Sequence, residues 1–339
     1  MIWQPEVYDA ADQVPHPGAE IHDTLLEQLA ELIGVRHPGL AAAGRDRLVA
    51  EHLAGRDPSR YGTWVYYPWH RRLVHLLPRD EFREVRADRN RDKITPAEQR
   101  RLAGARIGVI GLSVGNMAAI TLALEGVGGA FRLADHDRLS LSNLNRLRAG
   151  VADLGVEKTV LAARELAGID PWLGVELHRD GLRAARIDEF LRGLDLVVEE
   201  CDDLALKVLV RERARALRIP VLMETNDRGM LDVERFDLEP DRPILHGLIG
   251  SREAGAVSVA ELLGGSRLSA RMAASMPEIG VTLSGWPQLA SGVALGAALV
   301  TDTARRILLG EHTESGRYHV DVAEIVADGR GALTGAPDG

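Results

Sequence analysis

Gly111, Ser113 and Gly115 alternate directly after the apolar run Ile107–Ile110, and a helical pattern over Met117–Gly126 follows them. A second apolar run, Phe131–Ala134, ends on Asp135, twenty residues after Gly115. Residues of these types in this order could hold a phosphorylated nucleotide. Glycines let backbone N–H groups close on phosphate at the positive end of a helix. A carboxylate at the end of the next strand can accept hydrogen bonds from ribose hydroxyls. Asp137, Asn143, Arg146 and Lys158 come next, then the acidic run Glu199-Glu-Cys-Asp-Asp203. In open α/β sheets ligands bind outside the carboxyl ends of the strands, so this acidic run should face the glycine loop.

Charge separates two nucleotides. The pyrophosphate of NAD is largely satisfied by a helix terminus, whereas the triphosphate of ATP carries about twice the charge and arrives with magnesium. An ATP site therefore wants side-chain cations and a carboxylate. Arg146, Lys158 and Asp203 answer that description. The intact G-x-G-x-x-G of a dinucleotide site is missing, because Ser113 and Asn116 occupy the second and third glycine positions. This favours ATP, and the glycine loop alone leaves NAD open. Read as scaffolding, Asp135 and Asp137 would end a strand and Arg146 would pair with a surface acid. Lys158 would be a solvated residue where the helix dipole disfavours cations, and one of Asp202 and Asp203 would cap the next helix.

The elements that must position these residues read as an α/β chain. Strand, helix and strand over 107–134 are followed by a helix over Val156–Leu166, a strand near Val175 and a helix over Ile187–Leu191. A buried strand Leu194–Val198, a helix Leu204–Leu217 and strands at Ile219–Met223 and Met230–Phe236 continue the pattern. A helix over Ala290–Leu309 closes it, Arg317–Val326 could add an edge strand, and the tail from Ala327 reads as disordered. Residues 237–285 are rich in Gly, Ser and Pro and suggest a mobile crossover or lid. The expectation is a Rossmann-like doubly wound sheet over residues 88–312, a small α+β appendage over 1–87, and a terminal strand and tail over 313–339. The appendage holds eight of the fourteen aromatic residues, with helices near Leu25–Ile33 and Arg45–Leu53 and a hairpin broken at Pro68. Its aromatics read as core, with a recognition surface as the sharper alternative. Thr95-Pro-Ala-Glu98 in the linker spells a capping box.

Net charge of −9 offers no nucleic-acid surface. Cys201 is the single cysteine, which excludes a disulfide within the chain and a zinc site of four cysteines. The opening Met-Ile-Trp-Gln-Pro-Glu has no signal-peptide shape, and Asp302, Arg305 and Arg306 interrupt the most apolar late stretch. A cytoplasmic protein without membrane attachment is expected.

Gly111-x-Ser-x-Gly115, Asp135-x-Asp137, Ser142-Asn-Leu-Asn-Arg146, Lys158, Ile169-Asp-Pro171 and Cys201-x-Asp203 together resemble the ThiF/MoeB/HesA adenylyltransferases, bacterial relatives of ubiquitin-activating enzymes. The resemblance spans about residues 89–310 and is strongest to MoeY-type modules, which are often joined to a nitroreductase-like domain. It implies a homodimer, a possible separate nitroreductase-like partner, and ATP-dependent activation of a carboxylate on a small molecule, peptide or protein. Natural-product or peptide modification would be the setting. Gly111, Ser113 and Gly115 would cradle phosphate, with Asp135 and Asp137 beside the nucleotide and Asp135 on the ribose. Asn143, Arg146 and Lys158 would contact phosphates, Asp203 would bind Mg2+, and Arg91 would reach the triphosphate from the other subunit. The structural zinc common in the family is not expected. Cys201 lies among carboxylates that should raise its pKa, so it reads as structural. An NAD-dependent oxidoreductase, a non-catalytic partner-binding subunit and a tRNA-modifying dehydratase are the rival readings.

Overall fold

The computed structural model describes residues 2–10, 16–248 and 268–327. The amino-terminal part builds β1 (Glu6–Asp9), β2 (Glu20–Asp23), α1 (Leu25–Arg36), α2 (Ala42–Leu53), β3 (Thr63–Tyr67), β4 (Arg72–Leu76) and α3 (Arg79–Arg86). Its sheet runs β1-β3-β4-β2, and β3 and β4 form an antiparallel hairpin about Pro68. β1 and β2 escape the sequence reading because four mostly exposed residues show no alternation. Leu25, Leu29, Leu32, Tyr61 and Leu77 give this part its own core. Trp64 stacks on His75, so that aromatic serves packing. α3 docks the appendage on the rest of the chain. Arg83 pairs with buried Asp170 at 2.8 Å, and Arg86 donates to the Ala123 carbonyl at 3.0 Å. The Tyr67 hydroxyl donates to the Ala167 carbonyl at 3.2 Å.

α4 (Pro96–Leu102) begins with the capping box, Thr95 and Glu98 each accepting the other's backbone N–H. The main layer follows: β5 (Arg106–Ile110), α5 (Gly115–Leu124), β6 (Ala130–Ala134), α6 (Lys158–Ile169), β7 (Gly174–His178), α7 (Ile187–Leu191), β8 (Leu196–Glu199), α8 (Leu204–Ala216), β9 (Val221–Thr225) and β10 (Met230–Glu234). After α9 (Ala270–Ser275) come α10 (Ala290–Leu309), β11 (Gly316–His319) and α11 (Val322–Ile325). The seven strands lie in the order β11-β10-β9-β8-β5-β6-β7. β5 to β9 are mutually parallel, while β10 and β11 join antiparallel. Both faces of β5 are covered, as a central parallel strand requires. Ile107 and Val109 face the core shared with α5, α6 and α10, and Ile110 faces α7 and α8. The chain adds strands on one side of β5, then crosses to β8 on the other. That reversal opens a crevice at the carboxyl ends of β5 and β8.

The Ala290–Leu309 stretch is a buried-stripe helix. Val293, Gly296, Ala297, Val300, Ala304 and Ile307 recur at three- and four-residue steps, and Gly310 ends it at φ +82°. Among the described residues no helix is long and apolar enough to cross a membrane. Of the suggested lid, residues 249–267 lie outside the described residues, as does the tail from Asp328.

Beneath the crevice lies a buried ion cluster. Glu199 accepts hydrogen bonds from Lys207 Nζ at 3.1 and 3.2 Å and from Arg211 Nη1 at 2.5 Å. Arg211 Nε also donates to Glu234 at 2.6 Å, and Arg211, Glu199 and Glu234 are fully buried. Burial alone would raise the Glu199 carboxyl; Lys207 and Arg211 outweigh it and hold it at about 2. The folded value is depressed, so the contribution of Glu199 to stability is complete above its ordinary 4.5 and is lost as pH falls towards 2. Arg211→Met leaves buried Glu234 without its cation and Glu199 with Lys207 alone, and should lower the unfolding free energy by about 3–5 kcal/mol in urea titration at neutral pH. An unchanged midpoint would show that the cluster carries no stability.

Candidate active site

The glycine loop follows β5. Gly111 turns at φ +84°, and a Cβ there would lie 2.5 Å from the Glu200 carbonyl oxygen of the strand alongside. Glycine is thus required both by conformation and by the neighbouring backbone. Gly115 opens α5, where a Cβ would stand 2.7 Å from Val109 Cγ1. Asn116 is buried at the third glycine position and donates to Glu165 of α6 at 3.0 Å, tying the two helices together.

The charged residues gather over this loop. Asp135 follows β6, and its two oxygens accept the Leu112 N–H at 2.6 Å and the Asp137 N–H at 2.7 Å. Asp137 pairs with Lys158 Nζ at 2.7 Å, and that hydrogen bond lowers the Asp137 pKa. Lys158 is the first residue of α6 and only 6% exposed, so it is no solvated lysine. Asn143 is buried in the 139–146 loop, its Oδ1 accepting the Ser140 N–H at 3.1 Å. That turn delivers Arg146 across the crevice, where Nη2 reaches Ser113 Oγ at 2.9 Å. Burial lowers the Arg146 pKa, against the opposing charge of Asp202. The structure therefore brings Gly111, Ser113, Gly115, Asp135, Asp137, Asn143, Arg146 and Lys158 to one crevice.

Two residues fall differently. Asp203 is the N-cap of α8, its Oδ1 accepting the Ala205 and Leu206 N–H groups at 2.8 and 3.1 Å. Its neighbour Asp202 is the carboxylate that lines the cleft and acts on Arg146. Arg91 is exposed and pairs with Asp88 at 2.9 Å. The adjacent Asn90 donates to the Glu125 carbonyl, at the far end of α5 from the glycine loop. A helix of that length separates Arg91 from the crevice of its own chain by roughly 15 Å.

Cys201 is held inertly. Burial, then the nearby Glu199 charge, raises its thiol far above the ordinary range, and Sγ lies 3.6 Å from the Asp203 carbonyl. Asp135, His136 and Asp137 bring donor atoms within 4.8 Å of one another, but both Asp135 oxygens and Asp137 Oδ2 already hold partners. Sequence reasoning reached Glu200 only as part of the acidic run expected to face the glycine loop, and passed over Glu224 and, opposite it, Trp286 and Gln288. Their one signal was place: Glu224 stands near the carboxyl end of a strand, as Asp135 and Glu199 do.

A model of the ThiF family matches residues 87–316, more than half of the chain. The chain belongs to the ThiF family. It is 52% identical over 270 residues to uncharacterized protein MT1398 of Mycobacterium tuberculosis, covering 77% of this chain and 38% of that protein. It is 34% identical over 118 residues to the probable adenylyltransferase/sulfurtransferase MoeZ of the same organism, covering 34% of this chain and 30% of MoeZ. The chain thus spans well under half of both relatives. Among solved structures, the E. coli tRNA N6-threonylcarbamoyladenosine dehydratase TcdA superposes with a TM-score of 0.52 at 19% identity, over 68% of this chain and 97% of TcdA. That likeness shows the fold, and ThiF membership fits the sheet order and glycine loop described above.

The two adjacent aspartates can be told apart by stability. Asp203→Ala removes a cap and should cost about 0.5–2 kcal/mol. Asp202→Ala should stay within about 0.5 kcal/mol of wild type. Urea unfolding of both variants checks this, and equal losses would overturn the division of labour.

Proposed function

We propose that this ThiF-family chain is an ATP-dependent adenylyltransferase that activates a substrate carboxylate as an acyl adenylate. The observation that carries the reading is the convergence of half-buried Arg146 and buried Lys158 beside a glycine loop at a helix N-terminus. A dinucleotide site has no use for two such cations. Asp135 keeps a second lone pair on each oxygen for the ribose hydroxyls. Lys158 exchanges Asp137 for phosphate, and Arg146 exchanges the Ser113 hydroxyl for phosphate. Asn143 holds the loop that carries Arg146. Arg91 serves the partner's site in a homodimer, since its own lies at the far end of α5.

Asp202 fits magnesium better than Asp203, because the cap leaves Asp203 turned to the α8 backbone. Bound there, magnesium supplies positive charge that neutralises the phosphates.

A carboxylate oxygen of the substrate attacks the α-phosphorus while the bond to pyrophosphate breaks. The attacking group is already ionised at neutral pH, so this step needs no general base. Catalysis is orientation plus charge neutralisation by Arg146 and Lys158. The acyl group then passes to a nucleophile. Its source is a small molecule, a peptide or a protein, in a cytoplasmic peptide-modifying or natural-product pathway. A separate nitroreductase-like protein is a candidate partner.

Calorimetric titration with Mg-ATP and, in parallel, NAD tests the reading. ATP should bind and NAD should not. Arg146→Ala and Lys158→Ala each delete a charge-assisted contact and should weaken ATP by about 10- to 150-fold. Binding of NAD in place of ATP would overturn it; binding of neither would point to a partner-binding subunit.

A further inference from the structure

A cleft of about 260 Å³ lies where the amino-terminal appendage meets α6, away from the glycine loop. Tyr67, Trp69, Val74 and Leu76 of the β3–β4 hairpin, Phe82 of α3 and Pro171 give it apolar walls. Junctions between two layers of a fold are common ligand sites. The Tyr67–Ala167 hydrogen bond and the Arg83–Asp170 pair hold the two walls in place, so the space does not close. Gly168 forms part of the α6 wall. It is a helical residue, and a Cβ there would meet no atom within 4 Å. No packing contact requires glycine at this position, and glycine weakens a helix relative to alanine. What its missing side chain leaves is open space above α6.

Arg164 stands four residues before Gly168, on the same face of α6. It is half-buried. Its Nε and Nη2 both donate to the Ile2 carbonyl, at 3.2 and 2.9 Å, and its guanidinium lies over the Trp69 ring, 5.5 Å from the centroid. Both partners are uncharged. Among the described residues no carboxylate pairs with Arg164, and its Nη1 has no acceptor. The other charges at the cleft are already matched. Arg72 at the rim pairs with Glu20 at 2.7 Å, and Asp170, near Tyr67, is buried and bound to Arg83. No acidic side chain lines the cleft among the described residues.

A partly desolvated guanidinium with neutral partners favours an anion, and a carboxylate is the anion its planar fork fits best. Aromatic walls favour a flat apolar body, which meets them edge-on or offset. Tyr67 and Trp69 already meet edge-on, with ring centroids 5.4 Å apart. We propose that this cleft binds a small aromatic carboxylate, with its ring among Tyr67, Trp69 and Phe82 and its carboxylate on Arg164 above Gly168. No bond is made or broken there. The ligand touches the appendage and α6 together, so its binding strengthens the junction between them. The site stands whether or not the chain adenylates anything.

The test is a 1H–15N spectrum of the labelled full chain, whose five tryptophans each supply an indole N–H signal. Loss of a signal in Trp69→Phe and in Trp286→Phe assigns those two. Phenylpropionate should move the Trp69 signal and leave Trp286, which lines the cleft beside the glycine loop, in place. Phenylpropionamide should bind roughly 10- to 100-fold more weakly, because it loses the charge-assisted contact, and phenylpropylammonium should not bind. Arg164→Gln should erase the preference for acid over amide. Gly168→Phe should abolish the Trp69 response, whereas Gly168→Ala should raise the melting temperature and still bind. A Trp69 signal unmoved by millimolar acid, equal affinities for acid and amide, or a full response in Gly168→Phe overturns the proposal. A shift confined to Trp286 overturns it too and assigns the acid to the cleft beside the glycine loop. If calorimetry finds no ATP binding, the adenylation reading fails separately, and the Trp69 titration still decides this one.

Discussion

Glu199 is the residue on which the site's geometry turns. It is a full negative charge at the last position of a buried strand, fully withdrawn from water. Desolvating a carboxylate costs several kcal/mol, and one cation rarely recovers it. Here Lys207 and Arg211 from a single helix both bind it, and the Cys201 N–H donates to it at 2.9 Å. These contacts fix how the chain leaves β8 and enters α8. The 200–203 turn therefore has one shape, and the Gly111 backbone packs against that turn. The carboxylate that looks farthest from the chemistry sets the floor beneath it.

The working charges above that floor are held differently. Lys158 leans on a half-exposed aspartate and Arg146 on a serine hydroxyl, partners that a more highly charged anion can displace. The buried ions beneath the crevice are multiply bound to one another, whereas the crevice cations rest on half-exposed or neutral groups: Lys158 on Asp137, and Arg146 on Ser113, the Ser142 carbonyl and Asn145 Oδ1. The contrast follows from what each set has to do. A frame needs over-determination, and a binding site needs groups already desolvated and aimed but cheap to release.

The βαβ unit around the glycine loop was legible in the sequence because several signals agree there: a strand buried on both faces, glycines at a turn that tolerates no Cβ, and an acid closing the next strand. The 290–309 helix was legible for its period alone. Lys158 was flagged because a cation is out of place at a helix start. What stayed hidden depended on pairing across distance. Lys207 and Arg211 are four residues apart on a helix and look like a solvated face until Glu199 and Glu234 are seen between strands. Adjacent Asp202 and Asp203 cannot be divided into cleft and cap without the turn that separates them. Glu224 reads as an ordinary charged residue, since nothing local tells that Gly296, seventy-two residues on, makes its pocket.

The clasp between the appendage and α6 has a mechanical meaning. Tyr67 and Arg83 grip that helix through Ala167 at its last turn and Asp170 just beyond it, while Lys158 stands at its first position. Twelve residues of helix form a rigid rod of about 18 Å. The amino-terminal layer thus holds the distal end of a lever whose other end carries the Lys158 ammonium. A shift of that layer would therefore reach Lys158 and its pair with Asp137 along the rod, with no contact between the two.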